Sequence, residues 1–185
     1  MAKIDVQQKV KSLRWLRIFH RWLGIPLVIF FFVIGITSLL LAWKKKAELL
    51  PNTLKTRVES RENWISPDEM IGIAMDKMDS MGQSNLIDRI DIRPEKGVAK
   101  VTFQTHFIEV QLDGYSGEVL SVATRHSDWI EKVHDGSIVD YYFGQTETSK
   151  LIYSTGTALG LILMSFSGFY LWYFPKVIRR IKSRD

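Results

Sequence analysis

Residues 22–43 read WLGIPLVIFFFVIGITSLLLAW, and residues 151–174 read LIYSTGTALGLILMSFSGFYLWYF. Neither stretch contains an acidic, basic or histidine residue. A helix needs about 20 apolar residues to cross the roughly 30 Å hydrocarbon core of a bilayer, and both stretches exceed that length. The sequence therefore predicts a membrane protein in which two transmembrane helices, 22–43 and 151–174, flank a polar middle.

The basic residues predict the orientation of the chain. The net charge is +5, whereas residues 44–147 alone are net acidic, so the positive charge belongs to the two ends. Only Lys150 lies close before the second span, and the residues that follow the span are Lys176, Arg179, Arg180, Lys182 and Arg184. Basic residues next to a span favour the cytoplasmic side. We therefore expect residues 1–21 and 175–185 to be cytoplasmic basic tails of a bacterial inner-membrane protein.

Residues 44–150 are then expected in the periplasm. The lysines at 44–46 argue against this orientation, but a segment longer than about 60 residues crosses largely regardless of its charge. A cleaved signal peptide is the alternative for residues 22–43. Its apolar region is usually 7–15 residues long and precedes small cleavage-site residues. Here the run is longer and lysines follow Ala42, so we expect a retained helix.

The middle region is predicted to open with a helix. Ser66 is placed as N-cap before Pro67, Glu69 is spaced for a capping box, and Gly82 suits a left-handed C-terminal cap. Apolar residues recur between them at helical spacing: Met70, Ile73, Ala74, Met78 and Met81. A methionine stripe can suggest copper, but beside isoleucine and alanine it is typical of packing.

Strand-like segments follow this helix. They are residues 88–93, 98–103, 107–112 and 118–122, and the turn sequence DGYSG at 113–117 separates the last two. One helix packed on a small antiparallel sheet is the economical arrangement, with its core at about residues 64–124. We also predict an interfacial amphipathic segment at about residues 127–137. The expected fold class is an α+β membrane protein with a small extracytoplasmic domain.

Four motifs resemble the PepSY-associated transmembrane family. FHRWLGIPL at 19–27, running into IGITSLLLAW at 34–43, resembles the first helix of that family. EVQLDGYSGEVL at 109–120 resembles the end of a PepSY domain. WIEKVHDG at 129–136 resembles the His-Gly segment ahead of the next helix, and SGFYLWYFP at 167–175 resembles the close of that helix. The resemblance implies that the extracytoplasmic domain is PepSY-like.

The resemblance implies two kinds of function. Larger members have four or more spans, and some resemble inner-membrane haem-containing reductases that pass electrons to siderophore-bound iron or flavin carriers. Others are accessory membrane proteins, and isolated PepSY domains are associated with peptidase propeptides and inhibition. This chain has a single helix pair, so a function that needs four helices implies a homodimer or a larger membrane complex.

Two histidines are the candidate cofactor ligands. His20 lies at the start of the first span and His134 in the predicted interfacial segment. Imidazole is a usual axial ligand of haem b, but a span of about 30 Å prevents one haem from taking both residues of one chain. In a two-fold dimer, two copies of His20 and two copies of His134 would each hold one haem. Any metal would be this haem iron, because the eight-residue spacing of His126 and His134, beside Asp128 and Asp135, puts the two imidazoles on separate turns.

Each histidine also has an alternative without a cofactor. His20, between two arginines, suits hydrogen bonding to lipid headgroups. His134 suits capping of the interfacial helix. His106 falls at a predicted hairpin turn, where we expect a solvated loop residue.

The second span carries a helix-association pattern. Gly156 and Gly160 form GxxxG, and Gly168 continues the same face. This face is suited either to a second copy or to the first span of its own chain, where Gly24, Gly35 and Ser38 also leave room. The aromatic residues near the span ends are expected to be interfacial anchors, with haem stacking as the alternative for Trp22 and Trp172: Trp15, Trp22, Trp43, Tyr170, Trp172 and Tyr173.

Several classes are excluded by the sequence. The chain has no cysteine, which excludes thiol catalysis, Cys-ligated zinc and iron–sulfur clusters. It lacks the nucleotide-binding, zinc-protease and serine-hydrolase motifs GxxxxGK, HExxH and GxSxG. The basic tails suit anionic lipid rather than nucleic acid. Two hypotheses remain: a b-haem electron-transfer subunit for periplasmic iron or flavin reduction, or a cofactor-free anchor whose PepSY-like domain binds a periplasmic protein.

Overall fold

The computed structural model describes the backbone of residues 2–58, 63–144 and 147–182, and the side chains of residues 10–58, 63–144 and 147–180. Residues 39–131 form one compact unit, and the two long helices with the segment before the second form another. The elements are α1 (Ala2–Ala42), α2 (Pro67–Ser80), β1 (Ile87–Arg93), β2 (Val98–Phe103), β3 (Ile108–Asp113), β4 (Val119–Thr124), α3 (His126–Asp135), α4 (Ser137–Phe143) and α5 (Thr148–Lys182).

Helices α1 and α5 are long and apolar enough to span a bilayer. The qualifying segments are Val10–Ala42 and Thr148–Arg180, and only 11% of the apolar window of each is buried. A core helix of a soluble protein would be mostly buried, whereas these helices leave their apolar faces exposed, as lipid-facing helices do. The expected α+β architecture with two membrane helices around a sheet domain is confirmed.

Both long helices extend beyond the predicted spans. Helix α1 begins at Ala2, within the segment predicted as a basic tail, because no glycine or proline interrupts the chain before Gly24. Helix α5 continues through Pro175 to Lys182. Of the basic residues used to predict orientation, Arg184 and the side chain of Lys182 lie outside the described residues.

The predicted start and stop signals of α2 are confirmed. The Ser66 hydroxyl accepts the Glu69 backbone N–H at 3.1 Å, with Pro67 at the first helical position. At the other end Gly82 is left-handed, with φ +65°. Its N–H donates to the Asp79 carbonyl, and the N–H of Gln83 donates to the Met78 carbonyl, which together close the helix.

The four strands form an antiparallel sheet in the order β1-β2-β3-β4. All four predicted strands are present, with bounds that differ by one or two residues. Helix α2 and the sheet face that packs against it form a hydrophobic core, whose buried residues are Met70, Ala74, Met78, Ala99, Val101, Phe103, Val110 and Leu112. The prediction that the methionines of this stripe are packing residues is confirmed for Met70 and Met78, whereas Met81 follows α2 and is exposed.

The opposite face of the sheet is also buried but polar. Strands β2 and β3 turn Lys100, Thr102, Glu109, Gln111 and Asp113 to that side, and each is at most 4% exposed. This face is crossed by residues 49–58, which we call the strap. The sequence patterns gave no sign of the strap, because it lacks any apolar periodicity.

The strap is held by hydrogen bonds between its backbone and side chains of the sheet unit. The Gln111 side chain donates to the Asn52 carbonyl and accepts the Leu54 N–H, each at 2.9 Å. Asp113 accepts the Thr56 hydroxyl at 2.6 Å and the Arg57 N–H at 3.1 Å. Gln111 and Asp113 of β3 thus provide hydrogen-bond partners for the extended backbone of the strap.

Helices α3 and α4 precede the second span. Helix α3 covers most of the predicted amphipathic segment, and left-handed Gly136, with φ +79°, separates it from α4. A Cβ at Gly136 would lie 2.5 Å from the Tyr153 ring of α5. Glycine is therefore required here both by the backbone conformation and by the close approach of α5.

Candidate functional site

His20 lies on α1 and contacts the second membrane helix. Its Nδ1 is 2.7 Å from the hydroxyl oxygen of Ser167 on α5. The Ser167 hydroxyl in turn donates to the Leu163 carbonyl one turn earlier, at 2.6 Å. His20 is half-buried, so the ring lies between the two helices with one nitrogen fixed.

His134 repeats this arrangement near the other end of α1. Its Nδ1 is 2.9 Å from the hydroxyl oxygen of Thr37 on α1. The Thr37 hydroxyl donates to the Val33 carbonyl at 2.7 Å. Each histidine therefore meets a helix hydroxyl that is hydrogen-bonded to its own helix backbone.

We assign the tautomer of both rings from the hydrogen-bond pattern around the two hydroxyls. Two oxygens 2.6–2.7 Å apart require a proton between them, so each hydroxyl proton points to its helix carbonyl. The hydroxyl oxygen can then only accept from the imidazole, which places the proton of the neutral ring on Nδ1. Nε2 keeps its lone pair. Metal-binding histidines have this pattern, because their other ring N–H is donated to a fixed partner.

The two histidines lie at different depths along α1. Thr37, the partner of His134, lies 17 residues beyond His20 in α1, which is about 25 Å along an α-helix. No small ligand can contact both rings. The structure therefore places two separate imidazole sites in one chain.

A carboxylate and a lysine lie beside His134. Asp135 accepts the Ser137 hydroxyl at 2.6 Å and pairs with the Lys150 ammonium at 3.0 Å. Burial alone would raise the pKa of Asp135, but the hydrogen bonds from Ser137 and the interactions with Lys150 outweigh it, so the pKa is lowered. Asp135 is therefore ionised at neutral pH and is already paired.

The remaining two histidines are not free ligands of this kind. His106 uses both nitrogens: one is 2.9 Å from the Ser84 carbonyl, and the other accepts the Ile108 N–H at 3.3 Å. The prediction of a turn position is confirmed, but the prediction of a solvated ring is wrong, because the turn folds the ring onto these groups. His126 is exposed at the start of α3. Within the described residues, no three histidine or acidic side chains converge on a point.

The glycine face of α5 packs on α1 of the same chain. A Cβ at Gly160 would lie 2.7 Å from Leu27, and one at Gly168 would lie 3.4 Å from the His20 ring. Gly156 faces open space. Gly160 and Gly168 thus face α1 of the same chain, and the role of this face in helix association stays a prediction. Self-association of the chain stays a prediction.

Sequence reasoning missed the polar groups that accompany the histidines. Ser167 and Thr37 looked like small residues within apolar spans, although an isolated hydroxyl in a span is itself a signal of helix–helix hydrogen bonding. Tyr153 on α5 was also missed. Its ring packs edge-on against Phe30, and its buried hydroxyl has no hydrogen-bond partner among the described residues.

Trp22 and Trp172, the two tryptophans suggested for haem stacking, are both exposed in the structure. The Lys176 ammonium lies 3.5 Å from the ring centre of Trp172. Exposed indoles near span ends suit the membrane interface, and stacking on a cofactor stays a prediction.

A family model described as the PepSY-associated TM region matches residues 17–184. The chain belongs to this family. The match covers both membrane helices, the sheet unit and all four histidines. No curated protein and no solved structure matches the chain. Membership in the PepSY-associated family, together with the exposed apolar faces of α1 and α5, establishes a membrane protein.

Proposed function

We propose that this protein is an electron-transfer subunit that binds haem b through His20 and His134 and works as a homodimer. One observation carries the proposal: Nδ1 of each ring lies 2.7 or 2.9 Å from a hydroxyl that is itself bonded to its own helix backbone, and this contact assigns the ring proton to Nδ1 and the lone pair to Nε2. A neutral imidazole of fixed tautomer is the donor that haem iron takes. The donor set of the chain therefore fits the cofactor.

The proposal of a homodimer rests on the number of ligands. The chain has four histidines, and only one lies at each level of the helix pair with an available Nε2. A haem with two axial histidines then needs a second copy of the same residue. The pairs would be His20 with His20 and His134 with His134.

The residues of the chain have separate tasks in this proposal. Ser167 and Thr37 orient the imidazoles and fix their tautomers. Haem, when bound, supplies one-electron chemistry, which no side chain described here offers. Two levels about 25 Å apart suit passage of electrons across the membrane. By the resemblance of the sequence, the acceptor would be siderophore-bound iron or a flavin in the periplasm.

The proposed location is the bacterial inner membrane with both ends in the cytoplasm. Lys176, Arg179 and Arg180 at the end of α5 support it, because basic residues next to a span favour the cytoplasmic side. The sheet unit would then be periplasmic.

The test is an oxidised-minus-reduced absorbance spectrum of the full chain purified in mild detergent, with haem quantified per chain. We expect a reduced α-band and about one haem per chain, since a dimer of this design holds two. His20→Ala and His134→Ala should each remove about half of the haem. His126→Ala is the matched control and should retain all of it, because that ring is exposed. Full retention in both site variants would refute the assignment.

A second candidate is a cofactor-free anchor that binds a periplasmic protein. The outer strand β1 favours it, because it has one neighbour in the sheet and exposes Ile92. Unpaired strand edges accept an added strand from a partner. A protein that stays colourless when haem is supplied during expression would support this candidate over the first.

A further inference from the structure

Helix α4 directs its polar groups into the chain. The carboxylate of Asp140 is buried and accepts the backbone N–H of Ser149 at 3.1 Å and of Lys150 at 3.0 Å. Both N–H groups belong to the first turn of α5, where the helix has no preceding carbonyl to accept them, so Asp140 caps the second membrane helix. The ring centre of Tyr141 lies 5.1 Å from the ammonium of Lys132 on α3. Both polar residues of the α4 centre thus have partners inside the same unit.

The other side of α4 is apolar and uncovered. Val139, Tyr142 and Phe143 are 47%, 65% and 88% exposed. Residues three and four apart share one face of a helix, so these side chains form a single patch. A contiguous exposed apolar patch, unlike a single exposed apolar residue, indicates a contact surface.

The covalent position of α4 identifies what covers the patch. Asp140 ties the helix to the first turn of α5, which begins at Thr148. That turn lies at the membrane surface, since the uncharged span follows from residue 151. Phenylalanine and tyrosine on a short helix at this depth bind the boundary between headgroups and acyl chains.

We propose that α4 is an interfacial anchor that inserts Val139, Tyr142 and Phe143 into the lipid leaflet at the start of α5. Asp140 ties α4 to the residues directly before the exposed Leu151 and Ile152 of the membrane helix, which favours lipid over a protein partner. The anchor holds the cap of α5 and the α3–α4 junction at one depth. Through Gly136 and Tyr153 it also sets the depth of His134, whether or not haem binds there.

The chain has no native cysteine, so single cysteines can be labelled at chosen positions. We would attach the fluorophore NBD to Phe143→Cys and Tyr142→Cys in the full chain. The labelled proteins go into phosphatidylcholine–phosphatidylglycerol vesicles with or without brominated acyl chains. Leu159→Cys, exposed in mid-span, is the reference for lipid contact, and Met81→Cys, exposed after α2, is the reference for a surface apolar residue.

We expect labels at both α4 positions to emit at shorter wavelength than the label at Met81 and to lose emission in brominated lipid, as the label at Leu159 does. Aqueous iodide should quench them weakly. Strong quenching by iodide with none by brominated lipid would overturn the proposal, because the patch would then face water. Protection from both quenchers would also overturn it, because a protein would cover the patch. Two label positions guard against a local effect of replacing Phe143.

Discussion

The buried polar groups of the sheet unit and the half-buried histidines of the helix unit have different numbers of hydrogen-bond partners. In the sheet unit, Glu109 is fully buried and both of its carboxylate oxygens are bonded, to Lys100 at 2.9 Å, to Gln111 at 2.8 Å and to Arg125. Between the membrane helices, each of His20 and His134 has one nitrogen bonded through a hydroxyl.

This difference distinguishes polar groups that stabilise the fold from polar groups that are available to bind a ligand. The Glu109 cluster extends through Arg125 to Asp128, whose carboxylate lies 2.6 Å from Arg125, so its charges balance. A buried charge with every partner in place is expected in a structural network. An imidazole with a fixed proton on one nitrogen and a lone pair on the other is instead suited to a ligand. The same chain thus has fully paired polar groups in one unit and histidines with one paired nitrogen in the other.

The largest expected effect comes from breaking the saturated cluster. Glu109→Ala leaves Lys100 buried with no anion and removes a partner of Arg125, so we expect a loss of about 3–5 kcal/mol in the stability of the sheet unit. Hydrogen exchange of the β2 and β3 amides in the full chain, read by mass spectrometry, measures this loss without unfolding the membrane helices.

The matched control for that variant is Glu118→Ala. Glu118 pairs with Arg57 at 3.0 Å, but both side chains are exposed, so the loss should be below about 1 kcal/mol. Equal losses in the two variants would show that Glu109 is not the centre of the network.

The fold was largely predictable because its signals are local. The uncharged runs, the cap at Ser66 and the alternation in the strands each act within a few residues. The strap was not predictable, because its partners Gln111 and Asp113 are more than 50 residues away. Polar side chains that alternate along a strand are also typical of a face exposed to water. Burial by a segment without its own periodicity leaves no local pattern.

The candidate site was predictable only in part. Sequence pattern and resemblance selected His20 and His134, but not the hydroxyls that bind them, because Ser167 is 147 residues from His20 in the chain. The glycine face was predicted, yet its partner was left open. Only the structure shows Gly160 against Leu27 of the same chain. Pairings between helices depend on three-dimensional packing, which a single helix period does not encode.

An intermediate effect is expected from the attachment of the strap. Burial alone would raise the pKa of Asp113, but the hydrogen bond from Thr56 and those from the Tyr115, Arg57 and Ser116 backbones lower it below its usual value. Asp113→Asn turns an amide N–H toward the Arg57 N–H, so we expect a loss of about 1–3 kcal/mol at pH 7.

The stability difference between the wild type and Asp113→Asn should change with pH in one direction. A carboxylate with a lowered pKa in the folded state stabilises the protein above its unfolded pKa of about 3.9, and this contribution is lost as the pH falls from about 5 through the lowered value. The gap in stability between the wild type and Asp113→Asn should therefore narrow on acidification. Urea unfolding of the full chain, followed by near-ultraviolet circular dichroism, measures it. Parallel pH profiles would contradict the assignment of this contribution to Asp113.

The smallest energetic effect, and the sharpest test of the comparison, concerns the histidine tautomers. Thr37→Val and Ser167→Ala each remove one hydrogen bond between membrane segments, which costs about 0.6 kcal/mol on average. The ¹⁵N spectrum of histidine-labelled protein without bound cofactor should nevertheless change. In the wild type His134 and His20 should be protonated at Nδ1, and each variant should release only its own histidine from that state.

His106 provides an internal reference with the opposite tautomer. Its Nε2 faces the Ser84 carbonyl, and its Nδ1 accepts a backbone N–H, so its proton should lie on Nε2 in the wild type and in both variants. If His20 and His134 share the tautomer of His106, their Nε2 lone pairs are not available. Haem binding through His20 and His134 would then require the proton to move to Nδ1. The contrast between the fully bonded Glu109 and histidines with an available nitrogen would no longer hold at the candidate site.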